Sequence, residues 1–139
     1  MSLSIRNQIP GTVISVSTGA VMATVKVRLD GGQDITAAIT LEAAEALGLA
    51  AGSAVHTLIK STEVALATGA VEGLSIRNRI PGTVAGVSTG GAMAGVKVSI
   101  AGGELTAAIT KDAVNDLELT AGSPVTALIK STEISLATA

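Results

Sequence analysis

The chain contains no Cys, Phe, Tyr or Trp, and only 14% of its 139 residues are charged. Without cysteine there is no disulfide framework, no thiolate metal site and no Cys nucleophile. Without aromatics there is no stacking platform for single-stranded nucleic acid, and the core has to come from Val, Ile, Leu and Ala. Those side chains bury little area each, so a small unit made from them gains from docking against another domain or chain. The formal net charge of −2 supplies no general attraction for nucleic acid or an anionic membrane. Histidine occurs once, as His56, and the equivalent position in the second half is Thr126, so neither a triad nor a metal cluster recurs and the imidazole is expected to be structural. The opening Met1-Ser2-Leu3-Ser4-Ile5-Arg6 lacks the apolar run of a signal peptide. The uncharged stretch from Asn7 to Val25 alternates and is broken by Pro10, Gly11 and Gly19, which argues against a membrane span. A soluble, cytoplasmic protein is expected. There is no P-loop or dinucleotide fingerprint, Met22 and Met93 read as packing, and the carboxylates fall on turns and helix faces. No enzyme activity is expected.

What is present is an internal duplication. Leu3-Ser4-Ile5-Arg6-Asn7 recurs as Leu74-Ser75-Ile76-Arg77-Asn78, Ile9-Pro10-Gly11-Thr12-Val13 as Ile80-Pro81-Gly82-Thr83-Val84, and Thr36-Ala37-Ala38-Ile39-Thr40 as Thr106-Ala107-Ala108-Ile109-Thr110. Leu58-Ile59-Lys60-Ser61-Thr62-Glu63 recurs as Leu128-Ile129-Lys130-Ser131-Thr132-Glu133. The offset is 71 residues early and 70 later, placing a one-residue deletion near Glu104. Roughly two-thirds of aligned positions are identical, and two copies are too few for a solenoid. Two similar domains, 1–70 and 71–139, joined near 68–73, are expected.

Within each copy the period is two. Val25, Val27 and Leu29 alternate with Lys26 and Arg28, and Val96, Val98 and Ile100 repeat the pattern, as in strands with one buried face. Asp30-Gly31-Gly32 and Ala101-Gly102-Gly103 follow as hairpin turns. Further strands are predicted over 11–16, 34–39, 54–60 and 63–67. One segment departs: Leu41, Ala44 and Leu47 share a face in a two-turn helix capped by Thr40 and stopped by Gly48. Five short strands and one short helix per copy give an all-β fold of two tandem five-stranded barrels, OB-like by inventory, though the count also allows an SH3-like barrel.

Five polar positions persist in both copies: Ser4, Arg6, Thr40, Lys60 and Ser61, matched by Ser75, Arg77, Thr110, Lys130 and Ser131. Each has an ordinary structural role available: solvated cations, a strand end, a helix cap. Together they have the chemistry of a cage for a tetrahedral dianion. Arg offers a fork of donors, Lys a point charge, Ser and Thr rotatable hydroxyls, and free N–H groups at the helix start add a favourable dipole end. One Arg and one Lys per copy neutralise a charge of −2 locally, so an acidic chain can still hold the ligand.

The two openings resemble the Ser-Ala-Arg-Asn signature of Mop domains. Gly11-Thr12-Val13 follows at the family's distance, Thr18-Gly19-Ala20-Val21 resembles its Thr-Gly-Ala-Val-Asn segment, and Ile59-Lys60-Ser61-Thr62-Glu63-Val64 resembles its closing Ile-Lys motif. Ile5 and Ile76 stand where the signature has Ala, and Met22 and Met93 where it has Asn. The match covers both copies and resembles the di-Mop molbindins. The resemblance implies OB-type Mop domains, a homo-oligomer (a trimer of two-domain chains), and molybdate or tungstate held at domain interfaces without an organic cofactor. It implies one site class at Ser4, Arg6, Asn7, Thr40, Lys60 and Ser61, with Ser75, Arg77, Asn78, Thr110, Lys130 and Ser131. A second class would use Gly19, Ala20 and Val21, with Gly90, Gly91 and Ala92. The implied role is storage or buffering of the oxyanion; the alternative is a ligand-sensing partner of a molybdate-dependent regulator or transporter. Molybdate and sulfate share charge and shape, so a rigid ring of donors is expected to separate them by size.

Overall fold

The computed structural model describes residues Met1–Ala139. The first repeat runs β1 (Asn7–Thr18), β2 (Met22–Leu29), β3 (Asp34–Thr40), α1 (Leu41–Ala46), β4 (Ala54–Ile59), a 3₁₀ turn (Ser61–Glu63) and β5 (Ala65–Ala67). The second runs β6 (Asn78–Thr89), β7 (Met93–Ile100), β8 (Gly103–Thr110), α2 (Lys111–Asp116), β9 (Pro124–Ile129), a 3₁₀ turn (Ser131–Glu133) and β10 (Ile134–Thr138). The architecture is the expected all-β one, with two curled five-stranded sheets and one short helix in each repeat. The alternation places Val25, Val27 and Leu29, and Val96 and Val98, in the core.

Strand order departs from sequence order. One sheet is β10-β4-β1-β2-β3 and the other β5-β9-β6-β7-β8. Each sheet therefore takes four strands from one repeat and its fifth from the other, with Ile134 paired to Ile59 and Ala65 to Leu128. The boundary near residue 70 separates repeats, not sheets. Where a continuous strand over 63–67 is expected, the chain first makes the 3₁₀ turn Ser61–Glu63 and buries Val64, and only then pairs. The borrowed strands also close the curl, β10 lying against β3 and β5 against β8. A single apolar cluster runs through both sheets, and Val64 and Ile134 each plug it at 2% exposure.

The one-residue deletion is absorbed in a hairpin. Leu29 N donates to Gln33 O around three residues, whereas Ile100 pairs directly with Gly103 around two. A register shift between Val13 and Ser15, repeated between Val84 and Gly86, bulges the long first strand of each repeat and bends it enough to serve two neighbours. The helices are capped as expected, Thr40 and Thr110 Oγ1 accepting from Ala43 and Ala113 N at 3.1 Å. Leu47 is a correction to the expected apolar face: it is the C-cap of α1 and 38% exposed, because the helix ends one residue earlier.

The glycine of the Pro-Gly-Thr-Val motif is required by close approach. A Cβ at Gly82 would stand 2.6 Å from both Ser99 O and Val98 Cγ1, and one at Gly11 2.7 Å from Arg28 O. Gly82→Ala is expected to cost about 1–3 kcal/mol in urea unfolding, against a change within about 0.5 kcal/mol for Gly86→Ala, whose Cβ would meet nothing within 4 Å. Past the second helix, Glu118 holds φ 53° where the first repeat has Gly48 at φ 61°. Glu118→Gly is therefore expected to stabilise the protein by up to about 1 kcal/mol, raising the urea midpoint.

Candidate functional site

Ser75 and Arg77 lie in the segment leading into β6, and Lys130 and Ser131 where β9 turns into its 3₁₀ turn. Asn78 pairs with Ile129 at this end of the sheet, so strand pairing brings the two segments side by side. Ser75, Arg77, Lys130 and Ser131 line one open hollow of about 260 Å³ together with Ile76 and Thr132. Two cations and three hydroxyls face it, with no carboxylate in its lining. Thr110 lies in an adjoining, more apolar hollow of about 370 Å³ that shares Ile76 and Lys130 with the first and includes Glu63. The second-repeat set is thus brought together, with Thr110 one step away. Thr132 was missed from the sequence, although its presence in both copies was a usable signal.

The first-repeat set is disposed differently. Arg6 folds back on its own segment, Nε donating to Ser4 O at 3.2 Å and an Nη to Leu3 O at 2.7 Å. Ser61 Oγ is buried without a partner. Thr40 lines a separate hollow of about 380 Å³ with Ala20, Val21, Leu41, Glu42 and Glu45. Ser4, Arg6, Lys60 and Ser61 share none of the principal hollows.

Asn7 and Asn78 are buried, at 4% and 3% exposure, and form a reciprocal clasp. Asn7 accepts from Thr106 N at 2.8 Å and donates to Thr106 O at 2.9 Å. Asn78 does the same with Thr36 N and O, at the same two distances. Each amide satisfies a peptide group on the third strand of the other repeat. Asn78 Nδ2 also donates to Ser131 Oγ at 3.4 Å. The serine oxygen accepts from the amide in that contact, so its own O–H stays free to donate to another partner.

The residues 19–21 and 90–92 form the β1–β2 and β6–β7 turns, where Gly19 N and Gly90 N donate to Met22 O and Met93 O. Val21 O and Ala92 O accept from Leu41 N and Lys111 N. Together with the threonine caps, these bonds occupy two of the donors at each helix start, so the helices offer fewer free N–H groups than the sequence suggests. Ion pairing sorts the remaining cations. Arg28 holds Asp34 at 2.9 Å and Lys97 approaches Glu104 at 3.6 Å; the hydrogen bonds from Arg28 keep the Asp34 carboxyl below its usual range. Arg79 donates to Val71, Leu74 and Ile76 O. No cluster of three or more His, Cys, Asp or Glu is positioned to hold a metal cation, and no helix is long and apolar enough to cross a membrane.

Comparison with known proteins adds the following. The TOBE domain family model matches residues 3–66 and 74–136. The molybdenum transport protein ModE of Herbaspirillum seropedicae is 39% identical over 139 residues, covering 99% of this chain and 52% of its own length. The molybdenum-pterin-binding protein MopB of Rhodobacter capsulatus is 43% identical over 136 residues, covering 96% and 50%. The chain spans about half the length of these curated relatives. A molybdate-bound crystal structure of the cytoplasmic molybdate-binding protein ModG superposes with a TM-score of 0.97 at 40% identity, over 100% of both chains.

Removing either clasp strands a buried peptide group on the opposite repeat. Asn7→Ala and Asn78→Ala are each expected to lower the free energy of unfolding by about 2–4 kcal/mol. Urea denaturation checks this, and an unchanged midpoint would refute the clasp.

Proposed function

The chain belongs to the TOBE-domain family, as a tandem protein of the Mop type, and from that premise we propose that it binds molybdate or tungstate and stores or buffers the oxyanion in the cytoplasm. The observation that carries this is the hollow at Ser75, Arg77, Lys130 and Ser131, which presents two positive charges and only hydroxyl partners. A tetrahedral dianion placed there is neutralised by the Arg and Lys, can accept from the Ser131 O–H, and meets no carboxylate in that lining. Thr110 lies beyond it, in the adjoining hollow that Glu63 also lines. The set Ser4, Arg6, Thr40, Lys60 and Ser61 is the equivalent site of the first repeat, and Ser61, a buried hydroxyl with no partner, gains one when the ligand arrives. Asn7 and Asn78 serve these sites through the backbone they hold. The repeats 1–70 and 71–139 act as the two domain units, each completed by the other's last strand.

The ligand is held and released unchanged. The reading needs no organic cofactor. The turns at Gly19, Ala20, Val21 and Gly90, Gly91, Ala92 form a second class of contact, completed between chains. Support for a homo-oligomer of three two-domain chains comes from Val21, Met22 and Met93, which stand 72%, 44% and 47% exposed at or beside those turns and give each repeat apolar surface that a neighbouring chain can cover. Native mass spectrometry with molybdate is expected to give three chain masses with bound ions.

Isothermal titration tests the central claim. Molybdate is expected to bind and sulfate to bind far more weakly, because the two ions share charge and shape and a fixed set of donors can separate them only by size. Arg77→Gln or Lys130→Met removes a charge-assisted hydrogen bond and is expected to weaken binding at that site about tenfold to a hundredfold. No heat on adding molybdate to the folded protein would end the proposal.

A further inference from the structure

The two repeats differ at one position inside an otherwise identical opening: Gln8 in the first, Arg79 in the second. We infer that Arg79 is a positioning residue that frees Arg77 for the oxyanion, so that the second-repeat site is preorganised and the tighter of the two; this rests on the oxyanion reading above. In the first repeat the carbonyl of Leu3 is held by Arg6, at 2.7 Å, and that of Ile5 by Gln8 Nε2, at 2.9 Å. In the second, Arg79 does both jobs, an Nη donating to Leu74 O at 2.8 Å and Nε to Ile76 O at 3.0 Å, with a third bond to Val71 O at 3.3 Å. Glutamine has a single donor nitrogen, and in the first repeat Gln8 Nε2 holds only Ile5 O. Arginine's fork covers both carbonyls. The consequence is visible at the neighbouring arginine: Arg6 is spent on its own backbone, whereas Arg77 lines the hollow beside Lys130.

Binding at the first site therefore begins with Arg6 giving up two backbone hydrogen bonds, and binding at the second does not. Each such bond has a modest net value at an exposed site, so the expected separation in affinity is about tenfold. The serines agree with this order, since Ser131 Oγ already accepts from Asn78 while Ser61 Oγ has no partner.

The test is a calorimetric titration with sodium molybdate of the full chain and its variants, with thermal unfolding as a check that each is folded. Among the arginine-dependent sites the wild type is expected to show two affinities, the tighter weakened by Arg77→Gln and the weaker by Arg6→Gln, whatever the turns between chains add. Arg79→Gln should weaken the Arg77-dependent class about tenfold without touching the other. Arg79→Lys keeps the charge but loses the fork, and should weaken the same class; wild-type affinity in this variant would mean Arg79 acts by charge alone and would overturn the inference. Gln8→Arg should tighten the Arg6-dependent class, a gain that damage to the fold cannot produce. Equal classes in the wild type, or an Arg79→Gln protein that binds as the wild type does, overturns the inference and leaves the oxyanion reading standing. A wild type that takes up no molybdate overturns both.

Discussion

The exchange of the fifth strand is the constraint on which the rest of the structure depends. Neither repeat can complete its sheet alone: β4 needs β10 at its open edge, and β9 needs β5. Because the core contains no aromatic residue, the area buried per side chain is small, and plugging each curl with a fully buried Val64 or Ile134 from the other repeat joins two marginal cores into one. The exchange also sets the position of the turn that carries the Lys-Ser pair. The turn Ser131–Glu133 that launches β10 packs on β3, and Ser61–Glu63 that launches β5 packs on β8. The Lys-Ser pair thus lies at a seam between repeats because the chain crosses there.

The asparagines of the opening signature belong to that seam. An extended strand leaves peptide groups that must find partners once covered, and a side-chain amide, with one acceptor and two donors, matches such a group on both sides. Asn78 has a donor to spare after satisfying Thr36 and spends it on Ser131. The amide that joins the repeats therefore also touches a serine of the hollow, and a buried polar group costly to leave unpaired finds a use for every hydrogen-bonding atom.

Much of this was legible in the sequence. The alternation around Lys26 and Lys97 fixes strands and their buried faces, and Thr40 and Thr110 announce the helix starts. The repeated Arg, Lys and Ser mark the hollow, since in the second repeat Ser75, Arg77, Lys130 and Ser131 do converge. The strand exchange was not legible, for a physical reason. β5 carries Ala65-Leu66-Ala67 and the matching part of β10 Ser135-Leu136-Ala137, and their partners β4 and β9 both end in Leu-Ile. Either fifth strand fits either edge with the same alternation, so the pattern of side chains does not choose between them. Leu47 was misplaced because helical periodicity says which residues share a face but not at which one the helix stops. The asparagine clasp escaped notice because a residue inside a ligand signature invites a ligand role, and its true partner is 99 residues away for Asn7.

Duplication makes two copies of a site, and linkage makes them different. The first opening segment, 3–6, carries its own support: Arg6 and Gln8 close on nearby carbonyls. The second opening must also continue from β5, which belongs to the same sheet as β6, so residues 68–77 form a connection that has to turn back within one sheet. A connection of that kind is a loop with loop entropy, and left loose it would carry Ser75 and Arg77 with it. Arg79 ties that loop at Val71, Leu74 and Ile76 from a strand flanked by β9 and β7. The same residue that steadies the junction between repeats thereby releases a cation into the hollow, and the asymmetry between the sites follows from the covalent connection between two nearly identical halves.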